Sequence, residues 1–405
     1  MTEQTTTDGL QVPPFEPNLE RALDLVMTMM AIPGKTGYEG KVAAFITEQL
    51  RAAGALDGTI ETDEANLLTP VRSDTGNLTL KLPGTMPGPR RMLSAHMDTV
   101  PLCVGSEPVI RGRTVHAASP NTALGADDRA GVAVILSAAL EILERDLPHP
   151  PLTFCWFIQE ETGLQGARNV KKSFLGDPGL AFNWDGGSPV KLCVGATGAY
   201  RIKIAIEGLA SHAGAAPEAG VSAIAIASRA IADLDRNGWH GDVRKNGKRG
   251  TSNVGFIHGG EATNVVTDHV SVKVEARSHD ADFRKQILAE IENAFHVAAS
   301  EVKNIAGVAG KVTIDSHLAY ESFELAADEP CVLAAEAAVQ SIGCTPVNAI
   351  VNGGLDSNWL FVHGIPSVTL GCGQRLPHTV NETLELDEFN SACRIALRLA
   401  TATEE

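Results

Sequence analysis

The chain has 405 residues, 44% hydrophobic and 20% charged, the balance of a folded protein long enough for two or three domains. Its formal charge of −16 and pI near 5.2 repel nucleic acid and anionic lipid, so neither is an expected partner. No apolar stretch approaches the roughly 20 residues a bilayer crossing needs, and the opening MTEQTTTDGLQVPPFEP lacks the basic and apolar regions of a secretion signal.

Residues 1–17 read as a tail. Helical spacing then runs from Asn18 to Ala31, stopped by Pro33 and Gly34, and a second helix is expected from Glu39 to Ala53. Asn77 to Leu82 alternates as a strand does. Arg91 to Ala95 and Leu152 to Ile158 are short, nearly continuous apolar runs, the pattern of strands covered on both faces of a parallel sheet. The apolar helix expected from Arg129 to Arg145 lies between them, giving a β–α–β order. Leu180 to Trp184 and Ser367 to Leu370 read as further core strands. The middle of the chain differs: Tyr200 to Glu207 (YRIKIAIE) alternates cleanly, so one face is wet. A helix near Val221 to Asp235 follows, then strands near Asn253 to Phe256 and Val270 to Ala276. A helix from Ala281 to Ser300 and a strand near Val312 to Asp315 complete the series.

These elements predict an α/β protein whose mixed, mostly parallel sheet is flanked by helices. Its main domain is split in sequence into residues 18–196 and 319–405. The insert at 197–318 is expected to be an α+β domain of βαββαβ, ferredoxin-like order. The seven cysteines are scattered without CxxC spacing, which points to reduced thiols and a cytoplasmic location.

Residues 154–166, FCWFIQEETGLQG, run an apolar strand straight into Glu160 and Glu161. Two adjacent like charges at a buried strand end are costly unless water or a cation meets them. Similar clusters recur in SAHMDTV (His96, Asp98), GADDRAG (Asp127, Asp128), FNWDGG (Asp185) and GQRLPHTVNE (His378). Taken singly, each has an ordinary reading: a satisfied strand histidine, a solvated terminus, a helix cap, a turn aspartate or a surface loop residue. Three of them directly follow expected strands, and the carboxyl ends of such strands line the functional crevice of open α/β sheets. Imidazole and carboxylate together suit zinc, with cobalt or manganese as alternatives. One carboxylate can bridge two ions about 3.5–4 Å apart, and a neighbouring carboxylate can then take the proton of a shared water.

At these residues the sequence resembles the dinuclear zinc exopeptidases and deacylases that include peptidase T, carboxypeptidase G and succinyl-diaminopimelate desuccinylase. The likeness runs from about residue 20 to 400, carried in order by HMDTV, GADDRAG, EETG, Asp185, GLDSN and the late His378. The resemblance implies a catalytic domain with an inserted lid and dimerisation domain, a homodimer, and hydrolysis of the N-terminal bond of short peptides. It implies that Asp127 bridges two ions, with His96 and Asp185 completing one site and Glu161 and His378 the other. Asp98 would orient His96 through its second ring nitrogen, and Glu160 would be the general base for a metal-bridging water. Asp128 is the weaker candidate for the bridge. In GLASHAGAAPEAG, His212 would polarise the scissile carbonyl, in cis or from the partner subunit. Asn264 and Arg277 match lid positions that hold a substrate carboxylate, a task that suits a guanidinium. Asp356 in GGLDSN is either a substrate contact or only a helix cap.

The position after ADD, usually lysine, is Arg129 here, which keeps the charge. Asp185 is aspartate in aminopeptidase-type members and glutamate in several deacylases, so it leans towards an aminopeptidase by association. The alternatives are an N-acyl amino acid deacylase or carboxypeptidase-type amidohydrolase on the same dinuclear site. A further rival is the other dinuclear aminopeptidase group, which shares the EE doublet but not the SHAG-type lid motif. A binding protein that kept the fold would have lost a ligand or the base, and none is missing here.

Overall fold

The computed structural model describes residues 15–401, which form two compact units. The first contains the chain through Gly195, Glu324–Val351 and the residues from Leu355 on; the second contains Ala196–Phe323 and Asn352–Gly354. Of the expected tail, residues 1–14 lie outside the described range. Its last residues are tied to the C-terminal helix Leu386–Thr401, where Arg394 and Arg398 hold the Glu16 carboxylate at 2.8 and 2.9 Å and Arg398 also donates to the Phe15 carbonyl.

The first unit is built on a nine-stranded sheet. Strands Arg91–His96, Leu152–Phe157, Leu180–Trp184 and Ser367–Leu370 pair in parallel, and every residue in them is buried, which explains their unbroken apolar runs. Leu78–Leu82 adds an antiparallel neighbour to Leu152–Phe157. Helix Ala126–Arg145 packs on strand Arg91–His96 and against helices Leu19–Ala31 and Leu386–Thr401. Met92, Cys155, Phe157 and Ala181 form a separate apolar cluster with Leu360 of helix Asp356–Val362. The strands therefore end together and deliver His96, Glu160 and Asp185 to one edge.

A small antiparallel sheet, absent from the expected element order, completes that edge. It joins Pro108–Arg111, Thr114–Ala117, Thr383–Glu385 and Gln374–Arg375. The connection between its last two strands carries His378, so this sheet decides where that side chain stands.

The second unit is a five-stranded antiparallel sheet in the order Gly241–Lys245, Lys248–Gly259, His269–Ser278, Gly198–Glu207 and Lys311–Tyr320. Helices Ala223–Arg236 and Ala281–Glu301 share its apolar face through Ile202, Ile204, Val272, Val274, Ile226, Ile287 and Phe295. Lys203, Lys273, Asp315 and His317 alternate with those residues and are exposed, as the period-two pattern requires. The expected order lacks one strand. Gly241–Lys245 (GDVRK) is polar and carries no alternation, yet it pairs with Lys248–Gly259 through a two-residue turn at Asn246 and Gly247, both at positive φ, 52° and 78°. That is the backbone a tight hairpin demands, and Asn-Gly adopts it readily.

Candidate metal and catalytic site

Asp127 stands at the centre of the site. It opens helix Ala126–Arg145, where both Asp127 and Asp128 have non-helical backbone angles. Asp127 Oδ1 lies 3.3 Å from His96 Nε2, and Oδ2 lies 3.2 Å from His378 Nε2. His378 Nε2 is in turn 2.9 Å from Glu161 Oε2. Single donor atoms of His96, Asp127 and Glu161 all come within 4.8 Å of one another, as do those of Asp127, Asp128 and Asp185. Five side chains from five separate stretches of sequence thus meet around one carboxylate, which faces an imidazole with each oxygen.

The electrostatics follow from that crowding. Burial works against ionisation of Asp127, but hydrogen bonds from His378 and His96 outweigh it and hold the carboxyl below its ordinary range. Hydrogen bonds to Asp127 and Glu161 push His378 up to about 10. Burial and the Asp127 charge push Asp185 up to about 7. Burial raises Glu161 as well, and raises Glu160 far more, with Asp185 and Asp356 adding to the effect. A set of carboxyls held this high has a standing demand for positive charge.

Asp98 lies beside the second ring nitrogen of His96 and takes up other donors as well. His96 Nδ1 lies closer to the Asp98 carbonyl oxygen, at 3.1 Å, than to its carboxylate, at 3.4 Å. The fully buried carboxylate is engaged elsewhere: it accepts the Thr36 hydroxyl at 2.7 Å and the backbone N–H groups of Glu160 and Glu161 at 2.9 and 3.3 Å. It therefore fixes the glutamate pair as well as the histidine. Asp128 is similarly occupied, accepting the His96 and Gly131 N–H groups at 3.2 and 3.1 Å.

Asp356 is not the helix cap. The helix Asp356–Val362 is capped at Leu355, whose N–H donates to the Asn358 side chain at 2.8 Å. Asp356 itself is 1% exposed, neither carboxylate oxygen accepts a hydrogen bond from the described residues, and burial pushes its pKa up to about 8. Residues outside the expected set support the centre. Glu382 accepts the N–H groups of Gly125 and Asp127, both at 2.8 Å, and Gln374 donates to Asp185 at 3.0 Å. Glu382 sits four residues after His378 in the same motif, a signal that its position alone did not reveal.

In the second unit His212 is exposed, and its Nδ1 accepts the N–H groups of Gly214 and Ala215 at 3.2 and 3.1 Å. That leaves the ring hydrogen on Nε2. Ala213 N–H donates to the Asn264 carbonyl at 2.9 Å, so His212 and Asn264 share one end of the sheet. Arg277 does not join them. It lies near the far end of strand His269–Ser278, eight residues along from His269 and thus roughly 26 Å away at the rise of a strand. There its guanidinium is held by Glu275 at 3.0 and 3.1 Å and by the Asn352 carbonyl at 3.0 Å.

Known proteins share both halves of this chain. Residues 77–198 match peptidase family M28, and residues 194–303 match the peptidase dimerisation domain of the M20 type. A crystal structure of a tripeptidase from Staphylococcus aureus is 30% identical and superposes with a TM-score of 0.85, covering 96% of this chain and 99% of that one. Aminopeptidase PepT from Bacillus cereus is also 30% identical, with a TM-score of 0.80 over 95% and 98% of the two chains. The chain belongs to the peptidase T-like family of metallopeptidases. Peptidase T of Escherichia fergusonii agrees with that placement at 25% identity over 84% of this chain and 89% of its own. The expected fold class holds: a mixed, mostly parallel sheet flanked by helices, joined to a dimerisation domain. Membership makes the protein a metal-dependent exopeptidase, and two groups of side chains, His96 with Asp127 and Glu161 and Asp127 with Asp128 and Asp185, could hold a metal ion. No helix among the described residues is long and apolar enough to cross a membrane.

Proposed function

We propose that this metallopeptidase removes the N-terminal residue from short peptides at a site for two divalent ions. Zinc suits its imidazole and carboxylate donors best, with cobalt or manganese as substitutes. The observation that carries this reading is the divided engagement of Asp127, one oxygen towards His96 and the other towards His378. His96 and Asp185 are assigned to one ion, Glu161 and His378 to the other, and Asp127 to both. When bound, such ions polarise a scissile carbonyl and acidify water.

The chain's own groups account for the rest. Glu160 takes a proton from the attacking water and returns it to the departing amine; its burial raises the carboxyl towards a range where it can do both. Asp98 keeps Glu160 and His96 in place through the bonds described above. His212, with hydrogen on Nε2, is suited to donate to the oxyanion. Asp356, a buried acceptor without a donor, suits the free α-ammonium of a peptide, which favours an aminopeptidase over a deacylase or carboxypeptidase. The printed descriptions of the two relatives at 30% identity, a tripeptidase and an aminopeptidase, support the same choice.

A tripeptide spans about 11 Å when extended, shorter than the roughly 26 Å of strand between Arg277 and His269, which pairs with Glu207 at the end of the sheet that leads to His212. The reading therefore includes a homodimer formed through the second unit, with His212 and Asn264 serving the site of the partner subunit. The match to a dimerisation domain supports it. Seven free cysteines suit a cytoplasmic location.

The experiment is hydrolysis of a tripeptide compared with its N-acetylated form, before and after chelation. Cleavage of the free tripeptide alone, lost with chelator and restored by zinc, is expected. Preference for the acetylated form would replace the aminopeptidase reading with the deacylase one.

A further inference from the structure

Three successive backbone N–H groups at the tip of strand Leu152–Phe157 point into buried carboxylates rather than water. Glu160 and Glu161 donate to the two oxygens of Asp98, at 2.9 and 3.3 Å. The preceding residue, Gln159, donates at 3.2 Å to Glu39, which is fully buried and plays no part in the chemistry described so far. Glu39 also accepts the Gly37 N–H at 3.0 Å and the Ser73 hydroxyl at 2.7 Å. One carboxylate thus joins the segment after helix Leu19–Ala31, the loop at residue 73 and the residue before the proposed base.

Gln159 is unusual in its own right. Its φ is 53°, the left-handed region that a non-glycine residue enters only when its surroundings hold it there. Its side-chain amide donates to the Val71 carbonyl at 2.7 Å and the Thr69 hydroxyl at 3.1 Å, and its own carbonyl accepts the Gln165 N–H at 3.0 Å. Backbone and side chain are therefore both tethered, and the left-handed turn they hold sets the direction in which the next side chain, Glu160, leaves the chain. A buried carboxylate is costly to keep. Placed here, it accepts the N–H of the one residue whose backbone orients the base.

We propose that Glu39 and Gln159 are positioning residues that aim the Glu160 carboxylate, acting through the Gln159 peptide. The proposal rests on the reading of Glu160 as the base. A misplacement of about 1 Å at a reacting group costs on the order of 100-fold in rate, so the effect is expected in kcat.

The test uses the full-length, metal-loaded protein and the variants E39Q, E39A and Q159G, with three measurements on each: kcat and KM for a tripeptide, bound metal, and amide hydrogen exchange over residues 157–163. E39Q is nearly isosteric and keeps an oxygen acceptor. Q159G tolerates the positive φ but loses the tether, so both leave a folded protein to measure even where E39A does not. We expect kcat to fall about 100-fold in E39A and about 10-fold in E39Q and Q159G, with KM changed less than about two-fold and metal content equal to the parent. Exchange at the 159–161 amides should quicken in the same order. Variants that keep kcat within two-fold of the parent, or that lose metal in proportion to kcat, would overturn the proposal. Failure of the base itself is separate: it shows as turnover retained in E160A, whereas the exchange measurement reports on the tether whatever the reaction proves to be.

Discussion

Two loops carry the groups on which the proposed chemistry depends, and they are held in opposite ways. The turn at Gln159–Glu161 is anchored by Glu39 and Asp98, buried carboxylates that accept its three successive N–H groups. The loop bearing His212 is exposed, and the hydrogen bonds to its ring among the described residues come from two backbone N–H groups of the same loop. The first loop is preorganised by its own unit whatever binds there. The second presents a group to the surface, and a surface group acquires a function from whatever is brought to it. A rigid base with a delivered oxyanion donor is the division of labour the contrast suggests, and each half can be broken separately.

The largest effects should come from the first loop and its neighbours. Glu160→Ala is expected to lower kcat by about 10³-fold or more while the protein keeps its metal, in line with loss of a general base; near-normal turnover would remove Glu160 from that role. Asp127→Asn should abolish activity and metal retention together, measured by elemental analysis after gel filtration. Next comes the second loop. His212→Ala should reduce kcat by about 100-fold, the usual cost of one oxyanion donor, with metal content and thermal stability unchanged. If His212 acts across a dimer, mixing His212→Ala with Glu160→Ala subunits should restore part of the activity. Recovery of none, with mixed dimers demonstrated, would place His212 in its own chain's site.

A pH experiment sharpens the same contrast. Burial raises Asp185 and Glu39 to about 7 and Asp356 to about 8. A carboxyl raised on folding stabilises below its unfolded pKa and loses that contribution as pH rises through its folded value. Chelated protein should therefore lose stability between about pH 5 and 8, and because metal competes with the proton on Asp185, the gain in Tm on adding zinc should grow over the same interval. A gain independent of pH would contradict the buried, proton-binding picture. The smallest effect belongs to the hairpin at Asn246 and Gly247, which carries no residue assigned to the chemistry. Gly247→Ala, at a φ of 78°, should cost about 1 kcal/mol of stability, read from denaturant midpoints, and leave kcat unchanged.

Much of the scaffold was legible because it rests on local patterns. Leu180–Trp184 and Ser367–Leu370 begin and end where their apolar runs do, and of the groups around Asp127, His96, Glu161 and Asp185 follow such runs and Asp128 opens the next helix. The remainder depends on pairings distant in the chain. Glu39 meets Gln159 across 120 residues and Glu382 meets Asp127 across 255, and no local pattern marks a lone glutamate as an acceptor for a remote N–H. The small sheet that positions His378 has strands too short to show alternation. Gly241–Lys245 differs in kind: its Asn-Gly turn is a local signal, but a polar strand outside the core lacks the apolar rhythm that usually confirms one.

The central claim is that Asp127 joins two cation sites. It is tested most directly by titrating chelated protein with zinc while following bound metal and tripeptidase activity in parallel. Two equivalents per chain, with activity tracking their loading and both lost in Asp127→Asn, is the predicted result. Full activity with no bound transition ion, or an Asp127→Asn protein that binds two ions as tightly as the parent, would contradict it.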